Sequence, residues 1–319
     1  MVDNLLNAHA PLRIGTRRSN LAVVQAEGIR DSLQKIAPDR SYQIETLHTL
    51  GDRDQSTALY NFGDKSLWTT ELEEKLTSGQ LDVIVHCLKD MPTKLPDSCE
   101  LAAIPQRDDP RDALIVKAGL PYTSLQTLPE RRRRGYVPQL RFANLRGNVE
   151  TRLAKVDDPA SEYTCMVMSA AWLERIGLQS RISQYLGSKD GGIFHAVGQG
   201  ALGLEIRRGD AHMQELLNRL ADTKSTLACL AERSLMRTLE GGCSVPIGVE
   251  TEWVQPDQLR ISAIVVSLDG SKSVEDTLEA RIATTCEAEV LAQNLAARLA
   301  QAGAGAILND INANRPAKD

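Results

Sequence analysis

Apolar residues recur along this chain in two alternating rhythms. Residues 12–15 read as a short strand. From Ser19 onward Leu21, Val24, Ile29, Leu33 and Ile36 fall at helical spacing, and Ser19 suits the N-cap of that helix. Residues 42–47 alternate like a strand. Residues 66–78 read as a helix carrying Leu67, Leu72 and Leu76, with Gly79 to end it. Residues 81–86 form an apolar run of strand length. Strands and helices taking turns in this way predict a largely parallel α/β sheet. Residues 107–112 are polar and hold Pro110, which marks a candidate hinge. A second α/β unit follows, with strands at 113–116, 165–168 and 201–206, a helix at 149–156 and a flexible loop at 188–192. A long helix at 227–239 leads into a stretch of different texture. Strands at 245–250, 259–267 and 277–282 and a helix at 287–302 predict a small α+β domain. Residues 311–319 are expected to fray.

Composition narrows the class. A chain of 319 residues is long for one core and points to two or three domains. Apolar and charged fractions of 42% and 25% are those of a folded globular protein. No apolar run approaches the ~20 residues that span a bilayer. The first ten residues carry Asp3 and no basic stretch, so they do not read as a secretory or transit signal. Six scattered cysteines without a CxxC pair fit reduced thiols in a cytoplasmic protein and offer no metal-ligand spacing. The formal charge of −5 argues against a general nucleic-acid binder. Any anion site must be local, built from clustered arginines in an acidic protein.

Several segments carry candidate chemistry. In Glu240-Gly-Gly-Cys-Ser-Val-Pro-Ile-Gly248 two glycines allow a tight turn and a proline ends any preceding helix, which offers the Cys243 sulfur on a loop. On spacing alone a buried structural cysteine is an equal alternative. Asp90 directly follows a predicted strand and Lys89, where α/β sheets bind ligands. A carboxylate there can exchange protons and stabilise a developing cation; a turn cap is the competing role. Gly198-Gln-Gly-Ala-Leu-Gly203 satisfies GxGxxG, but a strand rather than a helix follows, which excludes a dinucleotide site.

Five segments in one order resemble the porphobilinogen deaminases (hydroxymethylbilane synthases), most closely their fungal branch. They are Gly15-Thr-Arg-Arg-Ser-Asn-Leu-Ala22, His86-Cys-Leu-Lys-Asp-Met-Pro92, Asn144-Leu-Arg-Gly-Asn-Val-Glu-Thr-Arg152, Ala196-Val-Gly-Gln-Gly-Ala-Leu-Gly203 and the Cys243 loop. The resemblance runs from about Leu12 to about Leu308. It implies an α/β fold of two periplasmic-binding-protein-like domains plus a small C-terminal α+β domain. The implied boundaries are 1–105 with 200–222, 106–199, and 223–319. It implies a transferase that joins four porphobilinogens head to tail into hydroxymethylbilane, releasing ammonia, in haem biosynthesis. Asp90 takes the catalytic role, assisting loss of ammonia and stabilising the azafulvene cation. Cys243 carries a dipyrromethane cofactor through a thioether, with Ser19, Lys89 and Gln199 also on the cofactor. A thiolate suits that bond because it is a strong nucleophile toward an electrophilic carbon. Arg17, Lys65, Arg107, Arg146, Arg152 and Arg175 match positions that hold the substrate's acetate and propionate groups, for which guanidinium forks are suited. No metal is implied. A cytoplasmic monomer is expected, with no nucleic-acid or membrane partner.

The chain also departs from the family pattern. Between Pro129 and Arg146 the family has a longer segment with a Gly-Thr-Ser-Ser-x-Arg-Arg motif that binds cofactor carboxylates. Here the segment is Glu130-Arg-Arg-Arg-Arg-Gly-Tyr-Val-Pro-Gln-Leu140, whose arginines fit a solvated basic loop equally well. Trp172 stands where the family has glycine, and is expected to intrude on the cavity or displace its loop. Asn61 replaces a lysine. Two alternatives therefore stand beside an active enzyme: a catalytically impaired variant of the same fold, and a non-catalytic anion-binding module.

Overall fold

The computed structural model describes residues 10–49, 69–128, 141–190, 192–239 and 245–313. Their strands form three sheets. The first sheet takes β1 (Leu12–Arg17), β2 (Tyr42–Leu47), β3 (Val83–Cys87), β4 (Cys99–Ala103) and, from much later in the chain, β8 (Leu202–Arg207). Its order is β2-β1-β3-β8-β4. β1 runs parallel to β2 and β3, while β8 is antiparallel to both of its neighbours. The sheet is thus mixed rather than largely parallel. The return strand enters from the far side of the second unit, so it arrives pointing the other way. β4 was not legible in the sequence: Cys99-Glu-Leu-Ala-Ala103 lacks both alternation and β-branched residues.

Both faces of this sheet are covered, as an apolar run like β3 requires. Val83 and Val85 face helices α1 (Asn20–Ile36) and α5 (Ala211–Asn218); Ile84 faces the opposite side, with Leu72 and Leu76 of α2 (Thr70–Thr77). Ser19 caps α1 as expected, its hydroxyl accepting from the Ala22 amide. The core face of α1 is Ala22, Gln25, Ala26, Ile29 and Leu33. Leu21 lies off that face and packs into the core of the second sheet.

The second sheet, in the order β6-β5-β7, is antiparallel throughout: β5 (Asp112–Val116) sits between β6 (Cys165–Ser169) and β7 (Gln184–Leu186). β5 is buried on both faces. Ala113 and Ile115 meet α3 (Val149–Asp157) and α4 (Ala170–Arg175); Leu114 and Val116 meet Leu128 and Leu186. Residues 141–147, leading into α3, are irregular, and Phe142 is 82% exposed.

The third sheet is an antiparallel meander, β9 (Ile247–Gln255), β10 (Gln258–Val266) and β11 (Ser273–Arg281). Leu259, Ile261, Ala263 and Val265 alternate into a core closed by α6 (Thr223–Thr238), α7 (Thr285–Leu299) and α8 (Gly305–Ala313). β9 and β11 are longer than the sequence pattern suggested, while β10 has the expected length. After a kink at Gly303, whose φ is +111°, the chain is helical again to Ala313, where Ile307, Leu308 and Ile311 are buried.

The chain passes from the first sheet to the second near residues 104–111 and returns near residues 196–201. The two crossings touch at Gly200, whose carbonyl accepts from the Asp108 amide at 3.2 Å and from Arg175 Nη2 at 2.6 Å. Gly200 has φ +81°, and a Cβ there would lie 2.7 Å from the Asp108 oxygen and 3.0 Å from that of Asp109. Gly200→Ala is therefore expected to destabilise the protein by about 1–3 kcal/mol, measured as a lowered unfolding midpoint.

Candidate active site

β1 and β3 are parallel neighbours, and their carboxyl ends put two loops side by side. One carries Arg17 and Ser19. The other is a single 3₁₀ turn, Leu88–Asp90, carrying Lys89 and Asp90. Every carried residue on these loops is half-buried. The turn is fixed by backbone: the Leu88 amide donates to Ala201 O at 3.0 Å and the Met91 amide to Leu88 O at 3.2 Å. Leu88 and Met91 are buried beneath it. From the other side Arg233, on α6, donates to the carbonyls of Met91 at 3.4 Å and Pro92 at 2.5 Å.

The second sheet supplies the opposite wall. The start of α1 docks on it, Asn20 Nδ2 donating to Glu150 Oε1 at 2.6 Å. Arg146 precedes α3 and Arg152 lies in its first turns, its Nε donating to Gly147 O at 2.7 Å. Burial lowers the Arg152 pKa, Arg146 lowers it further, and Asp90 raises it. Arg152 is thus repelled by Arg146 and attracted by Asp90. Such a cluster favours an added anion, since desolvation and like charge both act against it until one arrives.

Lys89 Nζ donates to Gln199 Oε1 at 2.8 Å and lies 4.0 Å from the Trp172 ring centroid. Gln199 is buried, and its amide nitrogen donates to Pro110 O at 2.8 Å and Asp112 Oδ1 at 3.0 Å. Its side chain thus links Lys89 to the crossing at Pro110 and Asp112. Trp172 is half-buried and packs on the second core, with Lys89 over its face, so it neither blocks α4 nor unwinds it. Cys87, ending β3, shares hydrogen bonds with Gln25, and burial pushes its thiol up.

Two arginines expected on substrate carboxylates are engaged elsewhere. Arg107 pairs with Glu232 of α6 through Nη1 at 2.6 Å and Nη2 at 3.1 Å, and its Nε donates to Gln199 O at 2.8 Å. Its side chain is 9% exposed and that of Glu232 fully buried. Glu232 also accepts from the Gly198 amide at 2.8 Å and the Thr251 hydroxyl at 2.6 Å. Arg107 is thus a junction residue, because its donors are turned inward. Arg175 is similar: Nε donates to Asp108 at 2.7 Å and Nη2 to Gly200 O. Lys65 and Cys243 lie outside the described residues, as do Asn61 and Arg131 to Arg134; α6 ends five residues before Cys243. Among the described residues no group of three or more His, Cys, Asp or Glu side chains is placed to hold a metal, and no helix is long and apolar enough to cross a membrane.

Sequence reading missed Glu232 and Arg233. The available signal was a pair of charges on a helix where Cys229, Leu235 and Met236 mark a buried face.

This is a mixed α/β protein whose cleft joins one carboxylate to a cluster of cations. Residues 12–215 match the family model described as porphobilinogen deaminase, dipyrromethane cofactor binding domain, and residues 226–301 match the porphobilinogen deaminase C-terminal domain. The porphobilinogen deaminase of Yarrowia lipolytica is 48% identical over 317 residues, covering 94% of this chain and 93% of that protein. That of Saccharomyces cerevisiae is 45% identical over 323 residues, covering 95% and 98%. The chain belongs to the porphobilinogen deaminase family. Among solved structures a full-length BenM mutant reaches a TM-score of 0.36 at 13% identity, covering 75% of this chain and 71% of that one, too low for a shared fold to be drawn.

Burial acts to raise the Glu232 pKa, but Arg107, then His195 and the hydrogen bonds from Arg107 and Thr251, outweigh it and lower it below the ordinary 4.5. A depressed carboxyl contributes stability above its unfolded pKa and loses it as pH falls. Glu232→Gln is expected to cost about 3–5 kcal/mol near neutral pH, because it strands the buried Arg107 charge. Its unfolding free energy should also fall less steeply than the parent's below pH 4.5. Denaturant titration of both proteins across that range is the check.

Proposed function

We propose that this chain joins four porphobilinogen molecules head to tail into hydroxymethylbilane, with water releasing the product and four ammonia molecules leaving. The observation that carries the reading is Asp90 on the turn that ends β3, within electrostatic reach of Arg152, which has Arg146 beside it. The substrate is a cationic amine on a ring bearing two carboxylates. It needs cations for its acid groups and one anion where positive charge develops, and this cleft has that composition.

The residues present also fit a dipyrromethane, which carries four carboxylates. Ser19, Lys89, Arg17, Arg146 and Arg152 would hold it, and Cys243 would anchor it. When bound, it supplies the nucleophilic pyrrole carbon to which the substrate units are added. The Asp90 carboxylate offsets the positive charge left on the substrate as ammonia departs, and accepts the pyrrole proton released when the new carbon–carbon bond forms. Lys89 and the arginines orient the acid groups by charge-assisted hydrogen bonds. The second wall keeps water from the reacting carbon, so these charges act at low dielectric.

The reading divides the chain into 1–105 with 200–222, 106–199, and 223–319, the first two as periplasmic-binding-protein-like domains. In support, the strands of each sheet fall within one of these parts. It carries with it a cytoplasmic monomer acting on a small molecule; the charge of −5 supports leaving nucleic acid out. One observation favours an impaired variant instead: the irregular path of residues 141–147 where the cofactor-binding motif is missing.

Asp90→Asn removes the charge and keeps the shape. Turnover of porphobilinogen to hydroxymethylbilane is expected to fall about 10²- to 10⁴-fold with an unchanged unfolding midpoint. Turnover equal to the parent's would refute the assignment.

A further inference from the structure

Lys89 and Trp172 stand on opposite walls of the cleft. Lys89 precedes Asp90 on the first sheet's side, and Trp172 belongs to the helix that follows β6. The ammonium lies over the indole face, 4.0 Å from its centroid, and donates to Gln199 Oε1 at 2.8 Å. Both supports are rigid. Gln199 is 2% exposed and tied to Pro110 and Asp112. The indole is backed by the second core, between the fully buried Ala171 and Leu173.

The nature of the support matters. An aliphatic side chain would leave the four-carbon stem to wander. An aromatic face attracts the cation through its quadrupole.

We propose that Trp172 is a positioning residue: its indole face and Gln199 together fix the Lys89 ammonium beside Asp90, so that an acid group of the pyrrole substrate meets a pre-oriented cation. The proposal rests on the functional reading above, which supplies the acidic pyrrole. This support also makes Lys89 placement depend on the two walls staying together, since the ammonium is held from both sides.

The test is a double-mutant cycle of Trp172→Leu and Lys89→Met, with Trp172→Phe as the conservative variant. The dissociation constant for porphobilinogen is read by calorimetry in the Asp90→Asn background, where the ligand is not consumed. Thermal unfolding is followed on every protein. Trp172→Leu is expected to weaken binding about 3- to 10-fold, the range of one partly desolvated cation–π contact. Trp172→Phe should recover part of that loss. In the Lys89→Met background Trp172→Leu should cost nothing more. An equal loss in both backgrounds, or a coupling seen in unfolding but absent from binding, overturns the proposal and leaves Trp172 as packing alone. Failure of the functional reading looks different: the otherwise unaltered Asp90→Asn protein then binds no porphobilinogen at all, and the proposal falls with it.

Discussion

The buried pair of Arg107 and Glu232 is the constraint on which the arrangement depends. Arg107 belongs to the segment leaving the first sheet, and Glu232 to the helix of the third unit. The same carboxylate accepts from the Gly198 amide on the returning segment and from Thr251 on β9. Burying two charges is costly unless each finds good partners. Here the geometry is bidentate, and every partner lies on a different part of the chain. The pair is thus a weak source of net stability but a strict one of relative position. Glu232 and Arg233 are consecutive on α6: one grips the crossing and the other the carbonyls just beyond Asp90. The helix that leads toward Cys243 is thereby tied to the turn that carries Asp90.

Around that frame the site follows from two elementary facts. Parallel strands end on the same side, which brings Arg17, Ser19, Lys89 and Asp90 together. A sheet buried on both faces needs helices on both, and the helix starts of the second unit bring Arg146, Arg152 and Trp172 opposite them. Charges that would repel in isolation are held close by packing that does not involve them. Arg146 and Arg152 are one such pair, held together although each disfavours the other's charge.

Much of this was legible beforehand. The strands β1, β2, β3 and β10 show themselves by apolar runs or alternation, and α1 by its period and Ser19. The fold class follows from their order. What the pattern could not show depends on long-range pairing. β8 runs antiparallel because of where the chain has been, a fact absent from Leu-Gly-Leu-Glu-Ile-Arg. β4 has little propensity and exists because β8 gives it a partner. Asp90 stood out as a candidate because it lies just beyond an apolar run of strand length. The protein partners of Arg107 and Arg175, Glu232 and Asp108, were not legible, because an arginine on a polar loop looks the same whether it faces a ligand or an acid. Cys243 stands on sequence alone, outside the described residues.

The central claim is that this cleft still builds and holds its covalent primer. Intact mass under denaturing conditions tests it most directly, on protein expressed in cells that make porphobilinogen, beside Cys243→Ser. The account predicts a parent mass exceeding the polypeptide by two linked pyrroles, with no such excess in the variant. A bare polypeptide mass for the parent would contradict it, and would mean that the cation cluster around Asp90 no longer suffices to assemble the cofactor.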